Sequence, residues 1–196
     1  MEKRRINMTC IVGYIDKTTN DVYIGGDSAG VAGLHVVKRA DEKVFEKKNN
    51  RGKMVFGFTS SFRMGQILRY CFDIPDHDPR VDDYTYLCKD FISGLMDCYK
   101  KFGYFKRDDE GARRGGTFLM GYNGNLYNIE GDFQVGKVLD NFDACGCGVY
   151  YALGAMEILN KSNISSEEKV KQALKVAEKF SGGVMAPFNI INTGNK

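Results

Sequence analysis

"NMTCIVGYIDKTTNDVYIGGDSAG", residues 7–30, reads as two apolar segments on either side of a polar turn. β-Branched and aromatic residues on both sides of that turn carry the signature of two strands joined as a hairpin. Thr9 enters the first strand and Asp27 leaves the second, so pairing the strands brings both residues to the same end. Taken alone, a threonine at a strand start is an ordinary β-former, and an aspartate after a strand is an ordinary turn residue.

Beyond the hairpin, residues 30–38, 43–47 and 53–58 continue as short strand-like segments, and with 8–15 and 21–26 they suggest a β-meander over the first third. From Ser61 the period changes. Met64, Ile67, Leu68, Cys71 and Phe72 recur at helical spacing, and a second helix is expected from about Asp83 to Phe102. The polar, glycine-bearing run 103–116 reads as an exposed loop. Asn123-Gly124 between two alternating runs predicts a tight hairpin. Residues 149–159 and 165–180 are helical in pattern, the latter opened by the capping box Ser165-x-x-Glu168, and "APFNIINT" closes as a strand. Strands and helices in segregated runs, rather than strict alternation, indicate an α+β layered fold.

Composition narrows the function. The net charge is +3 with the signs interleaved, as in "RDDEGARR", so no basic face points to nucleic acid. No segment approaches the ~20 apolar residues of a membrane helix, and "MEKRRINM" lacks the apolar core of a signal peptide. Six cysteines without a CxxC pair fit reduced thiols, and a cytoplasmic location is expected. Cys145-x-Cys147 has only His35 and His77 to complete a ligand set, so no metal is expected, and no phosphate-binding GxxxxGK[ST] loop or other cofactor motif is present.

A threonine hydroxyl becomes a competent nucleophile when a base lies beside it, and the α-amino group of an N-terminal threonine is one such base. Residues 9–45, "TCIVGYIDKTTNDVYIGGDSAGVAGLHVVKRADEKVF", resemble the start of a proteasome β-type subunit or HslV-type peptidase: a T-x-I-V opening, a G-D at the end of the second strand, and a lysine, Lys43, sixteen residues after Asp27. Gly57 in "MVFGFTSS" falls where that family has an oxyanion-hole glycine. "FDACGCGVYYALGAMEIL" is similar to the family's A-x-G-S-G helix entry, with Cys147 in place of the serine. "EKFSGGVMAPFNII" resembles its D-x-Y-S-G-G stretch, with Glu178 in place of the aspartate.

The resemblance spans residues 8–192. It implies a four-layer αββα sandwich of the Ntn-hydrolase type, residues 9–196, preceded by a leader of residues 1–8. It also implies amide hydrolysis with Thr9 as nucleophile, Asp27 and Lys43 as its electrostatic partners, and Gly57, Cys147, Glu178 and Ser181 around them. The expected substrate is polypeptide, inside a homo-oligomeric ring to which helical aromatics such as Tyr99, Phe102 and Phe105 would contribute. A separate ATPase unfoldase would feed it. A noncatalytic ring subunit with an uncleaved leader, or a small-molecule Ntn amidase, are the alternatives. Cys10 is a rival nucleophile, but strand alternation turns its side chain away from that of Thr9.

Overall fold

The computed structural model describes residues 9–105, 107–108, 111–112 and 116–194; residues 1–8, expected as a leader, part of the run 103–116 and residues 195–196 lie outside the described residues. The opening hairpin forms as expected. Strand β1 (Cys10–Ile15) pairs antiparallel with β2 (Val22–Gly26), Ile11 opposite Gly26 and Ile15 opposite Val22.

The chain then leaves this sheet. The segment expected as one strand over 30–38 is a small separate hairpin, β3 (Ala29–Ala32) and β4 (His35–Lys38), turning at Gly33 and a fully exposed Leu34. Strands β5 (Val44–Asn49) and β6 (Gly52–Phe58) belong to a second sheet. The first third is therefore not one meander, because its strands divide between sheets.

Helix α1 (Phe62–Tyr70) follows, capped by Ser61. The second expected helix is continuous but locally underwound: α2 (Asp83–Tyr86), a π turn (Leu87–Phe91) and α3 (Ile92–Lys101). After the short strands β7 (Arg107–Asp108) and β8 (Gly111–Ala112), β9 (Phe118–Tyr122) and β10 (Asn125–Ile129) form the hairpin read from Asn123-Gly124. Both turn residues have positive φ, 47° and 74°, which is why asparagine and glycine occupy them. Four strands were not expected from the sequence: β7 and β8, inside the run read as a loop, and β11 (Val135–Lys137) and β12 (Phe142–Gly146). The chain ends with α4 (Val149–Leu159), α5 (Ser166–Phe180) and β13 (Asn189–Asn192).

The strand order is β12-β1-β2-β13 in one sheet and β11-β10-β9-β6-β5 in the other. Between them Ile11, Val22, Ile24, Val44, Val55, Leu119, Leu126 and Cys145 form a shared apolar layer. The outer face of the four-stranded sheet packs on α4 and α5 through Val12, Tyr14, Ala152, Met156, Val170 and Leu174. That of the five-stranded sheet packs on α1 and the α2–α3 rod through Phe56, Phe58, Leu68, Phe91 and Leu95. The result is the expected αββα order of layers. No helix among the described residues is long and apolar enough to cross a membrane.

Helix α5 is anchored at its start. Ser165 Oγ accepts from the Glu168 amide, while the Glu168 carboxylate turns to Gln172, so only half of the predicted capping box forms. Ser166 Oγ donates to Asp16 at the end of β1, 2.6 Å away. This bond, with others from Thr18, holds the Asp16 carboxyl down to about 2. A carboxylate held low in the folded state adds stability above its ordinary value of 3.8, lost as pH falls toward 2. Ser166→Ala should move Asp16 upward in an NMR carboxylate titration. Its deficit in thermal stability should be present at pH 6 and should vanish near pH 2.

Candidate active site

Thr9, Asp27 and Lys43 each sit at a strand terminus, and the fold brings the three termini together. Thr9 immediately precedes β1, Asp27 immediately follows β2, and Lys43 immediately precedes β5 of the facing sheet. Antiparallel register places Asp27 across from Cys10. The Asp27 amide donates to the Cys10 carbonyl, and the Cys10 amide donates to Asp27 Oδ1 at 3.0 Å. Lys43 is held by its own carbonyl, which accepts from the Phe58 amide.

Lys43 Nζ then bridges the other two, donating to Thr9 Oγ1 and to Asp27 Oδ1, both at 2.8 Å. All three residues are buried, with Lys43 and Asp27 each 1% exposed. Burial pushes the Lys43 ammonium below its ordinary value, and the Asp27 carboxylate opposes that shift. Desolvating such a pair is costly unless further hydrogen bonds compensate. Asp27 has them: Oδ2 accepts from the amides of Ala29 at 2.8 Å and Met185 at 3.3 Å. The arrangement presents a threonine oxygen to a fixed cation in a dry setting, where developing negative charge on that oxygen is strongly stabilised.

On the other side of Thr9, its main-chain N–H donates to Cys147 Sγ at 3.3 Å, and Cys147 Sγ lies 3.1 Å from Ser181 Oγ. A thiol thus occupies the link between the Thr9 nitrogen and a hydroxyl. Cys10 faces the opposite way, into the layer under α5, where burial pushes its thiol far above the ordinary value.

Two residues expected at the site are not assembled into it. Gly57 lies inside β6, where a Cβ would stand 2.6 Å from both Ile11 and Ile24, so it is glycine for the packing of the two sheets. Main-chain groups alternate sides along a strand; Phe58 donates toward Lys43 and Thr59 toward Thr117, which turns the Gly57 amide to Leu119 of β9. It is not directed at Thr9. Glu178 accepts from the Ala186 amide at 2.7 Å and so holds the loop that carries Met185 to Asp27, one step removed from the nucleophile.

The structure adds residues that sequence reading passed over. Ser60, at the junction of β6 and α1, adopts a left-handed φ of 75°, is exposed, and its amide has no acceptor among the described residues. The Phe62 ring lies 5.7 Å from Lys43 Nζ and 4.0 Å beneath the Arg39 guanidinium, itself clamped by both oxygens of Asp41. Gly146 crosses so close to Thr9 that a Cβ would stand 2.1 Å from its carbonyl oxygen.

Compared by sequence, the chain matches no family model and no curated protein. Among solved structures it is similar to BPH of Thiobacillus denitrificans in complex with epoxomicin, with a TM-score of 0.74 and 18% identity over 94% of this chain and 97% of that one. It is also similar to HslV of Trypanosoma brucei, with a TM-score of 0.63 and 16% identity over 94% and 98%. Anbu, the ancestral β-subunit, from Yersinia bercovieri gives a TM-score of 0.64 and 12% identity over 94% and 81%. The chain has the α+β fold of the proteasome-like Ntn hydrolases.

Proposed function

We propose that this chain is a proteasome-like threonine peptidase subunit that hydrolyses peptide bonds once Thr9 is the first residue. The observation that carries the reading is the buried Lys43 ammonium shared between Thr9 Oγ1 and Asp27. A structural role alone is poorly served by a desolvated ion pair, since apolar residues of similar volume stabilise as well or better.

In the proposed reaction the free α-amino group of Thr9 takes the Oγ proton as Oγ attacks the substrate carbonyl. The Lys43 ammonium stabilises the threonine oxygen as it loses that proton. The amine product leaves with the proton, and water then hydrolyses the Thr9 ester, restoring hydroxyl and amine. Cys147 and Ser181 flank the nitrogen and orient it. The carbonyl oxygen of the substrate would be met by the Ser60 amide at the start of α1, in place of the Gly57 amide engaged with β9.

With residues 1–8 attached, the Thr9 nitrogen is an amide without a usable lone pair, and general-base catalysis worth roughly 100- to 10,000-fold is lost. A chain started at Met8, from which the methionine is trimmed, should therefore hydrolyse peptides. It should also be labelled at Thr9 by epoxomicin, the compound bound in the BPH complex. The full-length uncleaved chain and Thr9→Ala should do neither, while Cys10→Ala should do both. A trimmed, folded chain that neither cleaves a peptide pool nor takes the label would sink the reading and leave the noncatalytic subunit.

Lys43→Met keeps the apolar stem of the side chain and removes its charged end. Loss of one preorganised electrostatic contact lowers the rate by about 100- to 1,000-fold, and the unpaired Asp27 should cost about 3–5 kcal/mol of stability. Peptidase assays run well below the melting temperature of the variant separate the two effects. Retention of a third or more of the parent activity would remove Lys43 from the mechanism.

Assembly into a ring, with a separate ATPase unfoldase as its feeder, completes the proposal. Tyr99, expected at a ring contact, is instead fully buried, and Phe105 packs on the same core. Phe102, the third aromatic expected there, is exposed, and four further exposed apolar side chains gather on α4 and the end of α5: Tyr150, Tyr151, Ile158 and Phe180, of which Tyr150 is 83% exposed. A helix apolar on its outward side as well as its inward side is suited to burial, and these residues supply a face for neighbouring subunits. Light scattering at micromolar concentration should give six chains or more. A mass of one or two chains would favour a small-molecule amidase.

A further inference from the structure

Thr59 is the last residue before the left-handed turn at Ser60, and its main chain is fully engaged: its amide donates to Thr117 and its carbonyl accepts from Ser61. Its side chain is not. Thr59 Oγ1 is buried, in a residue only 2% exposed, without a hydrogen-bond partner among the described residues. Buried hydroxyls are nearly always paired, and one that is not weakens the folded state. Valine has the same shape without the penalty, so the hydroxyl calls for a reason.

Its surroundings supply one. A Cβ built on Gly146 would stand 2.1 Å from the Thr9 carbonyl oxygen and 3.2 Å from Thr59 Oγ1. The space left open by the absent side chain of Gly146 therefore borders both the Thr59 hydroxyl and the main chain of Thr9. The Thr9 carbonyl is itself weakly held, accepting from the Gly148 amide at 3.4 Å. While Thr9 is inside a longer chain, the preceding peptide also restrains it. Once Thr9 is terminal, the chain holds it from the carbonyl side alone, and that side must help to aim both an amine and a hydroxyl.

We propose that Thr59 is a positioning residue for Thr9: in the trimmed chain its hydroxyl donates to the Thr9 carbonyl oxygen across the notch at Gly146 and fixes the main chain that carries nucleophile and base. The proposal rests on the reading of Thr9 as the N-terminal nucleophile. It acts on catalysis through Thr9 and leaves substrate binding alone. The hydroxyl is idle in the uncleaved chain and engaged in the trimmed one.

That difference gives a test independent of turnover. Thr59→Val and Thr59→Ser are made in the full-length uncleaved chain and in the chain trimmed to Thr9. In the uncleaved chain Thr59→Val should melt at or above the parent temperature. In the trimmed chain it should melt lower, by about 2–4 °C for the loss of one hydrogen bond in a protein of this size. Thr59→Ser should match the parent in both. Equal effects of valine on the two chains would overturn the proposal.

Kinetics of the trimmed chains then read the consequence. Misplacement of a reacting group by about 1 Å can cost on the order of 100-fold, so Thr59→Val should lower kcat by about 10- to 100-fold with KM within twofold, and Thr59→Ser should restore kcat. An unchanged kcat in Thr59→Val also overturns the proposal. A trimmed parent without turnover counts against the peptidase reading, and the melting comparison still decides whether Thr59 engages Thr9.

Discussion

A lysine ammonium buried against an aspartate, with a threonine hydroxyl as its third neighbour, is the constraint around which this protein is arranged. Lys43 and Asp27 are excluded from water at the end of the sandwich, and such a pair persists only where every remaining lone pair finds a donor. Asp27 meets that condition with the amides of Cys10, Ala29 and Met185, drawn from the start of β1, the segment after β2 and the loop before β13. One carboxylate therefore ties together three separate parts of the chain. Lys43 adds the second sheet, because it stands at the head of β5.

The layered fold provides what this constraint needs. The apolar face shared by the two sheets holds β1 and β2 against β5, β6 and β9, so strand termini from different sheets meet with little freedom. Polar groups placed at those termini are fixed by ladders that were formed for other reasons. The same logic explains the glycines. Gly57 allows the sheets to close, and Gly146 allows β12 to pass the Thr9 carbonyl. Both are glycines that let backbones and side chains approach closely, and so set the distances between the groups around Thr9.

Two side chains near Thr9 differ chemically from the motifs that the sequence resembles. Cys147 places a thiol, a weaker hydrogen-bond partner than a hydroxyl, between the Thr9 nitrogen and Ser181. Glu178, one methylene longer than aspartate, reaches the Ala186 amide and acts on the loop behind Asp27. Cys147 touches Thr9 directly and Glu178 acts on the loop that carries Met185 to Asp27.

Sequence alone determined the elements whose causes are local: the opening hairpin, the Asn123-Gly124 turn with its positive φ angles, the helix begun by Ser165, and the α+β class that follows from their order. It also carried the spacing of Thr9, Asp27 and Lys43, because each occupies a strand terminus and strand lengths are written in the alternation of residues. What it could not carry was which sheet each strand joins. The meander read over the first third divides between two sheets because pairing partners are chosen by burial of faces far apart in sequence. For the same reason spacing alone leaves open that Gly57 packs between the sheets with its amide toward β9: the direction of an amide depends on its strand's neighbours on both sides. Ser60, Gly146 and the orphaned hydroxyl of Thr59 came into view only in three dimensions, since their significance lies in what stands across from them.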